Sequence, residues 1–261
     1  MTIRFGPAGI GSVKDAAENL EEYHKKGLRA CEIPFTYGVF IKEDKHKKEI
    51  EDIKRASEKF DVKVSIHAPY WINLNSKEKQ KIEESKNRIL SCCKIGHKLG
   101  AEKIVFHPGY YGGMDEKETY ETIKNAILDL EKEIKKKKWK VKLCPETTGK
   151  VNVFGKEEEI LKLVKDTKCS FTIDFAHLLA RTQGKMSYKG MYDKVKNFNE
   201  IHAHFSGIEW GEKGERRHIP TSDSEIKKLL KALPKNKNIT IICEAPDPIK
   251  DSLKMLKLSR S

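Results

Sequence analysis

Eight short apolar runs alternate with eight amphipathic stretches from one end of the 261-residue chain to the other. The runs have the length of strands, and the stretches between them carry apolar residues three and four positions apart, which is typical of helices packed on a core. Strict alternation at this length predicts parallel strand pairing and an α/β fold with one (β/α)8 TIM barrel, rather than a sandwich. A doubly wound open sheet is the alternative, but no G-x-G-x-x-G sequence follows the first run.

The predicted elements follow each other without an intervening linker or low-complexity tract. The predicted strands are Ile3–Phe5, Ala30–Pro34, Val62–His67, Lys103–His107, Val141–Glu146, Ser170–Asp174, Glu200–Phe205 and Ile239–Glu244. The predicted helices are Ser12–Lys26, Lys45–Phe60, Lys77–Leu99, Glu116–Lys136, Lys156–Lys165, Tyr188–Asn197, Ser222–Leu233 and Ile249–Leu258. We therefore predict a single domain over residues 1–261.

The composition fits a folded domain with a polar surface, since 38% of the residues are hydrophobic and 35% are charged. No stretch approaches the roughly 18 consecutive apolar residues of a membrane-spanning helix, and the first residues resemble a strand rather than a secretion signal. We therefore expect a soluble, cytoplasmic protein without a membrane partner. The six cysteines include no C-x-x-C pair, and we expect buried, reduced thiols rather than disulfides or a thiolate metal site.

The chain is strongly basic, with 52 lysines and arginines against 39 acidic residues and a net charge of +13. A charge of this size attracts polyanions. Only eight of the basic residues are arginines, however, and lysine carries less recognition information than arginine. Composition alone leaves a nucleic-acid surface and a generally lysine-rich surface as equal alternatives.

Histidines and acidic residues gather where the predicted strands end. In a parallel barrel, the carboxyl ends of the strands converge on one face together with the loops that follow them. The residues concerned are His67, His107, Glu146, Asp174, His177, His202, His204 and Glu244. Glu146 and Glu244 close strongly apolar runs, where a lone buried carboxylate is costly unless it is paired or bound to a metal.

This set of side chains is suited to binding metal ions. Imidazole and carboxylate together suit zinc, manganese or iron, whereas magnesium and calcium prefer oxygen ligands alone. The set exceeds the three or four ligands that one zinc ion needs, so we predict two or three ions, an arrangement that suits displacement at phosphorus. His202 and His204 share one face of a strand, and the pattern alone does not say which of them binds.

Six segments, taken in order along the chain, resemble the endonuclease IV family of apurinic/apyrimidinic endonucleases, which belongs to the xylose isomerase-like barrels. They are Ser65-Ile-His67-Ala-Pro-Tyr70 with Ile72-Asn73-Leu74, Val105-Phe-His107-Pro-Gly109, Glu146-Thr-Thr-Gly149, Ile173-Asp174-Phe-Ala-His177, Ile201-His202 and Cys243-Glu244-Ala-Pro246. The resemblance implies a TIM barrel with three zinc ions. It also implies an enzyme of base excision repair that cuts double-stranded DNA on the 5′ side of an abasic site.

The resemblance assigns the ligands to three neighbouring zinc sites, with manganese as an alternative metal. In order of the sites they are His67, His107 and the bridging Glu146, then Asp174, His202 and Glu244, and finally His177 and His218. Glu146 and Glu244 are the catalytic carboxylates in this assignment, and Glu244 orients the nucleophile.

The resemblance places Tyr70 and Asn73 near the abasic nucleotide and its phosphates. We add Arg216 and Arg217 as substrate-binding residues, because they fall in a basic rim around the predicted metal face. Such a rim suits contacts to the DNA backbone without sequence preference. A monomer suffices for this chemistry.

Two segments depart from the family pattern. The family has an Asp two residues before its last His ligand, whereas Arg216 stands two residues before His218. The nearest acid is Glu215, which we expect to bind only if the loop turns helically. After the second strand, Tyr37 and Phe40 stand in a loop where the family has an arginine that probes the DNA, so aromatic wedging would replace arginine insertion.

Two other functions remain open on the sequence. The first is a sugar isomerase or epimerase similar to xylose isomerase, since such barrels also place Glu, Asp, His and Glu at strand ends around a divalent metal. The second is a degenerate barrel that binds damaged DNA without cutting it, which Arg216 at an expected ligand position suggests.

Overall fold

The computed structural model describes residues 3–234 and 237–260, in which eight parallel strands and the surrounding helices form a TIM barrel. The barrel strands are β1 (Ile3–Pro7), β2 (Ala30–Pro34), β3 (Lys63–His67), β4 (Lys103–Phe106), β5 (Lys142–Pro145), β6 (Ile173–Asp174), β7 (Glu200–Phe205) and β10 (Asn238–Cys243). The antiparallel hairpin between β7 and β10 consists of β8 (Gly207–Gly211) and β9 (Gly214–Ile219). The helices are α1 (Ala16–Lys25), α2 (Lys47–Phe60), α3 (Lys79–Leu99), α4 (Glu116–Lys137), α5 (Glu157–Thr167), α6 (Phe175–Arg181), α7 (Tyr188–Val195), α8 (Asp223–Ala232) and α9 (Pro248–Ser259).

Two four-stranded sheets, β1-β10-β7-β6 and β2-β3-β4-β5, make the barrel wall. At the first seam, the backbone N–H of Gly9 donates to the carbonyl of Glu32 at 2.9 Å. At the second seam, the N–H of Thr172 donates to the carbonyl of Pro145 at 3.1 Å. The predicted fold class is therefore confirmed, and the carboxyl ends of all eight strands open on one face.

The helices pack on this wall because their apolar residues recur on one side. In α2, for example, Ile50, Ile53 and Ala56 are buried at three-residue spacing. The start of α4 is held by Asp115, whose side chain accepts hydrogen bonds from two backbone N–H groups of the first turn. Packed helices of this kind hold the strand ends, and hence the side chains on them, in fixed positions.

The main differences from the predicted elements lie between residues 173 and 219. Helix α6 begins directly after the two-residue strand β6, where we predicted a loop. The hairpin of β8 and β9 also lies where we predicted a loop. Its charged residues and glycines obscure the alternation of apolar and polar residues that indicates a strand.

Two predictions from composition can be compared with the structure. The six cysteines are buried and carry free thiols, as predicted. Within the two described ranges, no helix combines the length and the apolar character needed to cross a membrane.

Candidate metal centre

The first group of donors consists of His67, His107 and Glu146, from three consecutive strands. His67 is the last residue of β3, and the other two directly follow β4 and β5. The Nε2 atoms of His67 and His107 each lie 3.2 Å from Oε2 of Glu146. Ligand atoms from all three residues lie within 4.8 Å of one another, which is close enough for one ion to reach them all.

A second group contains Glu146, Asp174, His177 and Glu244, again with ligand atoms within 4.8 Å of one another. Asp174 ends β6 and caps α6, where its Oδ1 accepts a hydrogen bond from the backbone N–H of His177 at 2.7 Å. Because α6 begins at once, Asp174 and His177 lie one helical turn apart and face the same space. Oδ2 of Asp174 is buried and has no hydrogen-bond partner in the described part of the chain. An orphaned carboxylate oxygen among imidazoles and acids fits a bound cation.

The structure brings His204, rather than the predicted His202, next to this second group. Nδ1 of His204 lies 3.1 Å from Oε1 of Glu146 and 3.4 Å from Oε1 of Glu244. The parallel register pairs His204 with Asp174, whereas His202 lies two residues deeper in β7. His202 contacts Glu32 at 3.2 Å, so the geometry does not bring it to the second site.

The third group contains His177, Glu215 and His218, with Glu215 supplying the carboxylate. We expected Glu215 to reach the site only through a helical turn, but it lies on strand β9. The register of the hairpin shifts so that Trp210 pairs with Glu215 while Glu209 pairs with Arg217. Arg216 is the extra residue of a β-bulge, which changes the alternation and turns Glu215 and His218 to the same side.

The charges of Glu146 and the residues around it depend on one another. Burial alone would raise the pKa of Glu146, but the imidazoles of His204 and His107 outweigh burial and hold this pKa well below its usual range. Burial would lower the pKa of His67, but Glu146 raises it to about 9. The pKa of Glu244 falls to about 2, because His204 outweighs the opposing effect of burial. The carboxylates therefore stay ionised and favour positive charge between them.

The deeper donors differ from one another in the direction of their shifts. Burial raises the pKa of Asp174, although His177 opposes the change. Burial would lower the pKa of His204, but Glu32 outweighs it and raises the pKa well above the usual value. Burial lowers the pKa of His202, although Glu32 works against it. His202 is thus the imidazole in this group that favours its neutral form.

Glu32 is a buried carboxylate that our reading of the sequence missed. It lies in β2, accepts a hydrogen bond from Ser65 at 2.7 Å, and forms another potential donor group with His202 and His204. The available signal was one acidic residue inside the otherwise apolar strand Ala30–Pro34, since a buried charge needs a partner.

Of the four predicted substrate residues, Tyr70 lines the cavity above the donors. Tyr70 is exposed, and its ring centroid lies 5.7 Å from that of His67. Arg216 and Arg217 lie on the exposed side of β9 and form ion pairs with Glu209. Asn73 instead uses its side-chain oxygen to accept hydrogen bonds from the N–H groups of Asn75 and Tyr110, which ties two loops together.

A cavity of about 360 Å³ opens above the donors. Its walls include Tyr70, Tyr110 and Lys150, and its floor includes His107, His218 and Glu244. This volume lies at the small end of the range for ligand pockets. The side chain of Arg181 is engaged within the protein, where it donates hydrogen bonds to backbone carbonyls of the loop after β5, including that of Lys150 at 2.6 Å.

The fold and the donor groups together define a barrel with several potential metal sites at the carboxyl ends of its strands. The chain belongs to the xylose isomerase-like TIM barrel family, whose model matches residues 20–259. It is 38% identical to an uncharacterized protein of Methanocaldococcus jannaschii, over 97% of this chain and 95% of that protein. It is 30% identical to an apurinic-apyrimidinic endonuclease of Caenorhabditis elegans, over 52% of this chain and 35% of that protein. The resemblance to the endonuclease IV family is thereby confirmed.

Solved structures of different activities share the fold. SacUVDE superposes with a TM-score of 0.76 at 17% identity, covering 99% of this chain and 98% of that one. Endonuclease IV of Thermus thermophilus superposes with a TM-score of 0.72 at 21% identity, covering 98% and 97%. D-psicose 3-epimerase of Clostridium cellulolyticum gives 0.67 at 14% identity, covering 99% and 98%. At such identities the likeness shows the fold alone.

Proposed function

We propose that this protein is a metal-dependent phosphodiesterase that incises double-stranded DNA on the 5′ side of abasic sites, with two or three zinc ions or manganese as an alternative. One observation carries the proposal: Glu146 belongs to the first and the second donor groups, and His177 belongs to the second and the third. Groups that share residues in this way support ions lying side by side, an arrangement suited to phosphoryl chemistry.

The chain supplies ligands for each ion. His67, His107 and Glu146 would hold the first, and His177, Glu215 and His218 the third. The second would be held by Glu146, Asp174, His204 and Glu244. When bound, the ions would supply Lewis-acid stabilisation of the charge on phosphate. Glu215 and Glu244 both line the cavity. As an ionised acceptor, Glu244 would orient the attacking water and take up its proton.

Exposed aromatic rings in the loops that follow β2 and β3 support a role in recognising damaged DNA. Tyr37 follows β2 and Trp71 follows β3, and their ring centroids lie 5.9 Å apart. Both rings are exposed, Tyr37 to 84%. A pair of apolar wedges suits a duplex from which an abasic nucleotide has been extruded, since that nucleotide has lost its pairing and stacking. The buried free thiols support a reducing, intracellular setting for this reaction.

The test is incision of a duplex that carries one stable abasic analogue, beside the same duplex without damage. We expect a single cut on the 5′ side of the lesion and none in the undamaged duplex. Glu146→Gln keeps the size of the side chain but removes a charge from two donor groups, and it should abolish cutting. Lys136→Gln, on the exposed surface of α4, is the matched control and should cut as the unaltered protein does. Absence of incision by fully metallated protein would contradict the proposal.

A sugar epimerase or isomerase is the second candidate. Glu146, Asp174, His204 and Glu244 would together suffice to hold a single ion, and epimerases are among the structures that share the fold. The two functions are distinguished by incubating ketose substrates with the same metallated preparation and measuring their conversion. Sugar conversion without DNA incision would favour this candidate.

A further inference from the structure

Glu32 has no role in the proposed reaction, yet it is fully buried beside the metal centre. Its Oε2 is held from two sides: the Ser65 hydroxyl donates to it at 2.7 Å, and Nε2 of His202 lies 3.2 Å away. These two contacts fix the carboxylate group and leave Oε1 for a third neighbour.

That third neighbour is His204. Oε1 of Glu32 lies 2.9 Å from Nε2 of His204, an ion-pair contact between two buried atoms that form no hydrogen bond in the described part of the chain. The other ring nitrogen, Nδ1, lies beside the carboxylates of Glu146 and Glu244. The imidazole therefore connects Glu32 on one side with the metal centre on the other.

We propose that Glu32 is a positioning residue, which keeps the proton of His204 on Nε2 so that Nδ1 presents its lone pair to an ion held by Glu146 and Glu244. A neutral imidazole has one protonated and one free nitrogen, and the hydrogen bond to the protonated nitrogen decides which one is free to bind. Carboxylates commonly hold metal-binding histidines in this way. The inference rests on the proposed metal centre and is independent of the DNA substrate.

The most direct test uses the unaltered, zinc-loaded protein. Long-range ¹H–¹⁵N NMR of labelled histidines distinguishes a metal-bound Nδ1 from a metal-bound Nε2, and His204→Gln identifies the signals. We expect His204 to bind zinc through Nδ1 and to carry its proton on Nε2. Binding through Nε2 would overturn the inference.

Glu32→Gln tests the same contact by removing the charge while keeping the side-chain volume. We expect zinc affinity at one site to fall by about 10-fold to 100-fold, with the number of ions at saturation unchanged. The visible absorption of the cobalt-substituted protein should shift as well, since cobalt reports the ligands directly. Ser65→Ala is the matched control: it removes one tether of Glu32 and should cause a much smaller loss of affinity.

Two results with Glu32→Gln would overturn the inference. Unchanged zinc affinity together with an unchanged cobalt spectrum would show that Glu32 does not position His204. One ion fewer at saturation would make Glu32 itself a metal ligand. None of these readouts uses DNA, so failure of the proposed endonuclease activity would be seen separately.

Discussion

His204 and His202 differ by one pleat of β7, and this difference gives them different neighbours. Both histidines contact Glu32, and His204, which is level with Asp174, also contacts Glu146 and Glu244. His204→Gln should therefore lower the zinc content by one ion and the incision rate by at least about 100-fold, since a metal ligand is lost. Metal analysis and incision kinetics on the same preparation check this expectation.

His202→Gln is the matched control for that substitution. It should keep the full metal content and lower the free energy of unfolding by about 1–3 kcal/mol, because the buried Glu32 loses a partner. The reverse pattern, with a lost ion in His202→Gln and none in His204→Gln, would contradict our assignment of the second site.

The raised pKa of His67 makes a prediction about pH. Glu146 favours the charged form of His67 up to about pH 9, whereas a metal ligand must be neutral. Zinc binding at pH 7 should therefore release protons, and zinc affinity should rise as the pH increases toward 9. Calorimetry in buffers of different ionisation enthalpy measures the released protons. Zinc binding without proton release at pH 7 would contradict the prediction.

At the scale of elements, the hairpin of β8 and β9 builds the third donor group. Its bulge at Arg216 places Glu215 on the side of His218, and the loop after β5 packs against Glu215. Gly149 in that loop approaches Glu215 so closely that a Cβ atom at residue 149 would lie 2.6 Å from the Cβ of Glu215. The absence of a side chain at this position is thus a requirement for the hairpin to dock.

Gly149→Ala should displace Glu215 and weaken the third site without touching the first. We expect loss of the most weakly held ion, together with a lower incision rate, as measured by metal analysis after dialysis. Gly190→Ala in α7 is the control, because its Cβ would meet only ordinary contacts, at 3.5 Å and beyond. Full retention of metal by Gly149→Ala would contradict the role of the hairpin.

The sequence was sufficient to predict the barrel strands and to place most of the potential donor residues at their ends, because alternation and burial are local properties. His67, His107, Glu146 and Asp174 all follow from where an apolar run stops. The choice between His202 and His204 depends on the register between neighbouring strands, which no local pattern contains. The bulge at Arg216 depends likewise on hairpin pairing, and Glu32 gains its meaning only from partners on other strands.

At the scale of the whole molecule, the net charge of +13 is only partly available to DNA. Many lysines pair with acids, as Lys94 and Lys98 do with Glu43. Arg216 and Arg217 share a single acid, Glu209, and lie in β9 between Glu215 and His218, which line the cavity. The surface charge therefore supports backbone contacts near the metal face rather than a uniform coat.

Replacing both Arg216 and Arg217 by Gln should weaken binding to damaged and undamaged duplexes alike. Because each lost phosphate contact removes a released counterion, the slope of log affinity against log salt should fall by about 1 per contact. Fluorescence anisotropy over a range of salt concentrations gives the slope. An unchanged slope would remove the two arginines from the DNA interface.

The measurement that tests our central claim most directly is whether adding zinc restores DNA incision to protein that has been stripped of metal. Protein stripped of metal by a chelator is given increasing equivalents of zinc, and incision of the abasic duplex is measured with the bound metal at each step. We predict that cutting is lost on stripping and returns as the donor groups around Glu146 refill, reaching its maximum at two or three ions per chain. Full metal occupancy without incision on the 5′ side of the lesion would contradict the proposed function.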